Sequence, residues 1–109
     1  GDVPATFDAL AWLDTNATKG SAVLIEERFM GWALLELGPE ITLIVFPIHS
    51  SPNSALKIAL LKAEGEPIFL VWLSGYQVEG FVEREVFGNI AVFEHTPALA
   101  TAGNSAIVP

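Results

Sequence analysis

The side chains in this chain that could do acid–base, metal or nucleophilic chemistry fall in three short polar clusters, each just after a run of apolar residues. Glu26, Glu27 and Arg28 follow Val23-Leu24-Ile25, His49, Ser50 and Ser51 follow Ile41 to Phe46, and Ser74, Gly75 and Tyr76 follow Ile68 to Leu73. Two adjacent carboxylates and an imidazole can act as acid, base or metal ligands, so a small metal-assisted hydrolase using Glu26, Glu27 and His49 is one reading. Each residue also has a plainer role. Acidic residues favour the positive end of a helix, which accounts equally for Glu26 and Glu27. Ser51 stands before Pro52 and Asn53 as an N-cap would, with no Gly-x-Ser-x-Gly elbow around it. His49 has no second histidine at ligand spacing. Arg28 and Tyr76 either position a polar ligand or cover the rim of a core. With no cysteine, thiol catalysis and thiolate metal sites are excluded. No glycine-rich phosphate cradle occurs, and no residue pattern calls for a cofactor. Asn16-Ala17-Thr18 matches the N-glycosylation triplet.

The elements that must position these clusters are readable from periodicity. Pro4 to Asn16 reads as a helix with Phe7, Leu10, Ala11 and Leu13 on one face. Ser21 to Ile25 is a short apolar strand, and a helix follows from about Arg28 to Leu37, stopped by Gly38 and Pro39. Ile41 to Phe46 is a second apolar strand. The next helix runs to about Glu64, and its Ala55, Leu56, Ile58, Ala59, Leu60, Leu61 and Ala63 nearly encircle it, which predicts burial on more than one side. Ile68 to Leu73 is a third apolar strand. Strands this continuous, separated by helices, predict right-handed crossovers in a parallel sheet. Phe81 to Phe87 then alternates, with Phe81, Glu83, Glu85 and Phe87 on one face, and turns at Gly88-Asn89 into Ile90 to Glu94 as a hairpin on one edge of the sheet. Trp12, Trp32 and Trp72 fall where core packing explains them.

The expectation is therefore one α/β domain over residues 1–95, a three-layer-like βαβαβ parallel sheet with an N-terminal helix and a C-terminal β-hairpin. Residues 96–109, rich in Pro, Ala, Thr, Gly and Ser, read as an irregular tail. In an open parallel sheet ligands bind outside the carboxyl ends of the strands, so the three polar clusters belong to one edge. Any ligand is expected at Glu26 to Arg28 and His49 to Ser51, with Tyr76 beside them, and not at the hairpin turn.

At 109 residues the chain has room for one core. Apolar residues make up 51% of it and its mean hydropathy is +0.48, so either the core is unusually dense or an apolar face is covered by something outside this chain segment. No run is long enough to span a bilayer, because Gly65, Glu66 and Pro67 divide the most hydrophobic region. The net charge of -8 repels nucleic acid and the anionic cytoplasmic leaflet, so an acidic domain beside a membrane suits the outer side.

The run Ala9-Leu-Ala-Trp12-Leu-Asp-Thr-Asn16-Ala-Thr-Lys-Gly20-Ser-Ala-Val-Leu24, the loop Glu26-Glu-Arg-Phe-Met-Gly31-Trp32 and the closing Gly88-Asn-Ile-Ala-Val-Phe93-Glu carry a likeness. Together they resemble the extracytoplasmic C-terminal domain of polytopic GT-C-type glycosyltransferases, including oligosaccharyltransferase relatives. The loop departs from oligosaccharyltransferases, having neither their Trp-Trp-Asp-Tyr-Gly motif nor any Asp. The resemblance implies a domain on the extracytoplasmic face of a membrane, inactive alone because the family's catalytic carboxylates sit in the membrane part. It also implies that the domain assists acceptor binding or assembly. Its partners would be that membrane part or a sister copy, with a polypeptide or lipid-linked sugar as ligand. A non-catalytic homodimerising module, joined through the apolar helix Ser54 to Ala63, is the competing expectation.

Overall fold

The computed structural model describes residues 2–47, 52–63 and 65–96. In chain order these form α1 (Asp2–Asn16), β1 (Ala22–Glu26), a 3-10 turn (Glu27–Phe29), α2 (Met30–Glu36), β2 (Thr42–Phe46), α3 (Asn53–Lys62), β3 (Ile68–Leu73), β4 (Phe81–Phe87) and β5 (Ile90–His95). The five strands make one mixed sheet in the order β2-β1-β3-β5-β4. β1 pairs in parallel with both β2 and β3, as three apolar strands joined by crossovers require. The hairpin β4–β5 adds antiparallel to β3, so the α/β expectation holds.

Two cores lie on opposite faces of the sheet. On one face Ala9, Leu10 and Leu13 of α1 and Ala33 of α2 meet Val23, Ile25, Phe69, Val71 and Val92. On the other, Ala55, Ala59 and Ala63 meet Leu24, Ile44, Phe46, Leu70 and Phe93. The alternation of β1 across both faces explains why all five of its residues are buried: it is the central strand of the parallel part and has a helix on each side.

Three expectations about faces are corrected. In α1 the buried stripe is Ala5, Ala9 and Leu13 with Thr6 and Leu10, while Phe7 and Ala11 are exposed; Phe7 packs sideways on Trp32 of α2, ring centroids 4.9 Å apart. α3 is buried on one side only. Its alanines, one turn apart, lie flat on the sheet and bring the helix close, which leaves Ile58, Leu60 and Leu61 outside. In β4 the register shifts between Glu83 and Glu85, so Arg84 is an extra, bulged residue. Phe81 and Glu83 therefore share the face of Phe93, whereas Glu85 and Phe87 share that of Val92 and Ile90. Regular alternation, which placed all four on one face, cannot anticipate a bulge.

The helix expected from Arg28 begins as the 3-10 turn and becomes α-helical only at Met30. Because β4 runs in the same direction as β3, residues 74–80 must travel back across β5 between them. The Ser74 amide donates to the Asn89 carbonyl at 2.9 Å, and the Phe81 amide to that of Val78 at 3.0 Å, fixing both ends of this return. Thr96, assigned above to the tail, donates its amide to the Gly80 carbonyl at 2.7 Å and belongs to the fold. The expected Ser51 cap, Glu64 and the tail at 97–109 lie outside the described residues. No helix among the described residues is long and apolar enough to cross a membrane.

Candidate functional site

At the carboxyl ends of the strands a small crevice lies between β1 and β3. Their pairing ends at Leu24 and Leu70, although β1 stays paired with β2 to Glu26 and β3 with β5 to Leu73. The two strands thus splay above that level, one leading into α2 and the other into the return loop. A cavity of about 40 Å³ opens there, walled by Glu26, Arg28, Phe29, Val71, Trp72, Leu73 and Ile90.

Glu26 is the last residue of β1 and is 7% exposed. Its Oε1 is sealed from solvent and ion-paired with the Nε of Arg28, without a well-aligned hydrogen bond among the described residues. Charge attraction holds the pair together at an alignment too poor for a hydrogen bond. The 3-10 turn produces this proximity by folding residue 28 back over residue 26. The Arg28 guanidinium also lies 4.5 Å from the centre of the Phe29 ring, which carries its apolar stem along the core rim. Glu27 points to solvent on the same turn.

Tyr76 stands apart from this crevice. It is exposed and lines a broad open concavity of about 710 Å³ with Gln77, Glu79, Phe81 and Glu83, on the hairpin's α3-side face. The Gly75 amide donates to Glu83 Oε2 at 3.1 Å, and the Ser74 hydroxyl to the Gly88 carbonyl at 3.1 Å, so the loop after β3 is tied to the hairpin and not to β1. This concavity therefore joins Tyr76, where a ligand was expected, to β4 of the hairpin, where none was. The sequence carries no local signal for it, because a hairpin pattern does not reveal that β4 runs parallel to β3 across β5. His49, Ser50 and Ser51 lie outside the described residues.

The crevice has room for a few water molecules, far below the 300 Å³ or so at which pockets enclose a sugar-sized ligand. What it can do chemically is limited to one charged pair in apolar walls. The hairpin concavity offers carboxylates, an amide and a phenol, which suit hydroxyl or cationic ligands and repel anions. Among the described residues no group of three or more histidines, aspartates or glutamates could hold a metal ion. Asn16, the acceptor position of the glycosylation triplet, ends α1 exposed, its side-chain amide donating to the Trp12 carbonyl at 2.8 Å.

Fold and crevice define a three-layer α/β domain with a mixed sheet. Compared with protein-family models, curated proteins and solved structures, the chain matches none.

Proposed function

We propose that this chain is the non-catalytic extracytoplasmic domain of a membrane-bound, glycosyltransferase-like protein, serving assembly or acceptor binding through its apolar helical faces. The observation that carries the reading is large apolar side chains in full contact with water on both helical layers: Leu35 is 87% exposed and Leu61 82% exposed. A domain that lived alone in water would gain nothing from them, whereas a neighbouring segment would bury them at roughly 1.5–3 kcal/mol each. The Glu26–Arg28 pair fits this reading as a brace for the loop after β1. A photo-crosslinking residue at position 35 or 61, in cells expressing the natural gene, tests it. Adducts to membrane-embedded polypeptide are expected; a domain that forms none and remains free in solution would overturn the proposal.

A self-associating interaction module is the second reading, favoured by the same exposure at Ile58, Leu60 and Leu61 of α3. Its test is the mass of the chain in solution.

A further inference from the structure

We infer that the open edge of β2 pairs with itself, two copies of this chain joining antiparallel along Thr42–Phe46 into one continuous sheet. The inference rests on the self-association reading and moves the contact from the outer face of α3 to the sheet edge. It starts from the unequal treatment of the two edges. β4 carries Glu83, Arg84 and Glu85 at its middle and is bulged there, devices that keep an edge from pairing. β2, at the other edge, is Thr-Leu-Ile-Val-Phe, with no charge, no proline and an unbroken register. Among the described residues no strand pairs with its outer side, and an uncharged apolar β-branched strand of this kind is a template for another strand.

The backbone of β2 is set for a two-fold partner. The Thr42 amide donates to the Ser21 carbonyl at 2.8 Å, so Thr42, Ile44 and Phe46 turn their polar groups to β1. Leu43 and Val45, the alternate residues, turn theirs to the open side. With Ile44 on a two-fold axis, Leu43 stands opposite Val45 of the partner copy and the two exchange both backbone hydrogen bonds, leaving neither residue with an unpaired group.

Apolar side chains flank this edge on both faces. In α2, Ala33 and Leu37 face the sheet and Trp32 turns towards Phe7 of α1, so helical geometry puts Leu34, 61% exposed, on the opposite flank over β2. In α3, Leu60 lines a groove with Glu94 and His95, on the β5 side, so Ile58 lies on the β2 side. An extended peptide would satisfy the strand but leave Leu34 and Ile58 in water. A second copy brings the same two residues against their own counterparts, which is what an isologous contact requires. The end of the sandwich measures about 17 Å along five strand residues and about 30 Å through three layers. The area covered on the two copies is then on the order of 1,000 Å², where specific interfaces begin.

Sedimentation of the chain tests the pairing. Twice the chain mass of 11.7 kDa is expected. Leu34→Glu and Ile58→Glu should each return it to a single chain mass, while Leu61→Glu, on the outer surface of α3, should leave it doubled. Leu43→Pro removes an outward amide hydrogen and should also dissociate the pair; the two glutamate variants decide the matter if that variant does not fold. The amides of Leu43 and Val45 should exchange hydrogen more slowly as concentration rises. A single chain mass at millimolar concentration would overturn both the pairing and the self-association reading. A dimer lost with Leu61→Glu but kept with Leu34→Glu and Ile58→Glu would overturn the pairing alone.

Discussion

Glu26 illustrates how a carboxylate survives at the top of a buried strand: a 3-10 turn brings an arginine back over it within two residues. Removing that arginine strands the charge. Arg28→Ala should destabilise the domain by about 1–3 kcal/mol, the cost of an unsatisfied buried polar group. Adding Glu26→Gln should recover part of the loss, as a denaturant double-mutant cycle would show. Thr6 presents the opposite case, a fully buried hydroxyl without a hydrogen-bond partner among the described residues. Thr6→Val should be neutral or stabilising by the same measurement, since it removes a desolvated group that gains nothing. At the far end of the sheet, burial lowers the pKa of His95 below its ordinary value of about 6.5. Its ring packs edge-on against Phe81, while Glu94 and Glu66 line the adjoining groove. The folded protein thus binds this proton less readily than the unfolded chain. The stability concerned is fully present above about pH 6.5 and is lost as the pH falls through the folded value. Urea midpoints measured from pH 7.5 down to 5 should fall less steeply for His95→Gln than for the parent chain.

Helix α3 shows what the choice of small residues does at the scale of an element. Among the described residues Ala55, Ala59 and the C-capping Ala63 form the buried stripe, so the helix lies too close to the sheet to accept anything larger. Ala59→Leu should cost about 1–3 kcal/mol through overpacking. Leu61→Ser should change the stability of a single copy by no more than about 0.5 kcal/mol, as for other surface sites. Thermal or urea unfolding of the two variants distinguishes them. A reading of hydrophobic pattern alone inverts this result, because it weighs leucine above alanine and so expected a helix buried on several sides. The strands were more legible. Val23-Leu24-Ile25 and Ile68 to Leu73 are continuous apolar runs that only a two-faced sheet can bury, and the Gly88-Asn89 turn fixes the hairpin by its glycine, whose φ is +61°. The bulge at Arg84 had no local signal, since a charged residue on an edge strand looks like any outward-facing one. Of the site, Glu26 and Arg28 were legible from their place after β1. Trp72, Leu73 and Ile90, which wall the same crevice, were not, because they meet it only through strand order, and sequence spacing does not encode strand order.

For the whole molecule the governing conflict is between its charge and its apolar surface. Thirteen acidic residues against five basic ones give each copy a net charge of -8, so two copies approaching one another repel. The edge proposed to join them contributes little to that repulsion. Thr42 to Phe46 carries no charge, and the charged side chain of α3 that borders it, Lys62 beside Thr42, is a cation and not one of the thirteen carboxylates. Repulsion therefore acts mainly between distant carboxylates, across water, where salt is most effective: the screening length falls from about 30 Å at 0.01 M to about 10 Å at 0.1 M. The contact itself is made of backbone hydrogen bonds and apolar side chains, which salt scarcely weakens. Raising ionic strength from 0.01 to 0.5 M should consequently strengthen association, the reverse of what a contact held by ion pairs would do. Sedimentation equilibrium across that range at fixed pH gives the sign directly. Association that weakened steadily with salt would mean that charged groups, and not the apolar edge, hold the copies together.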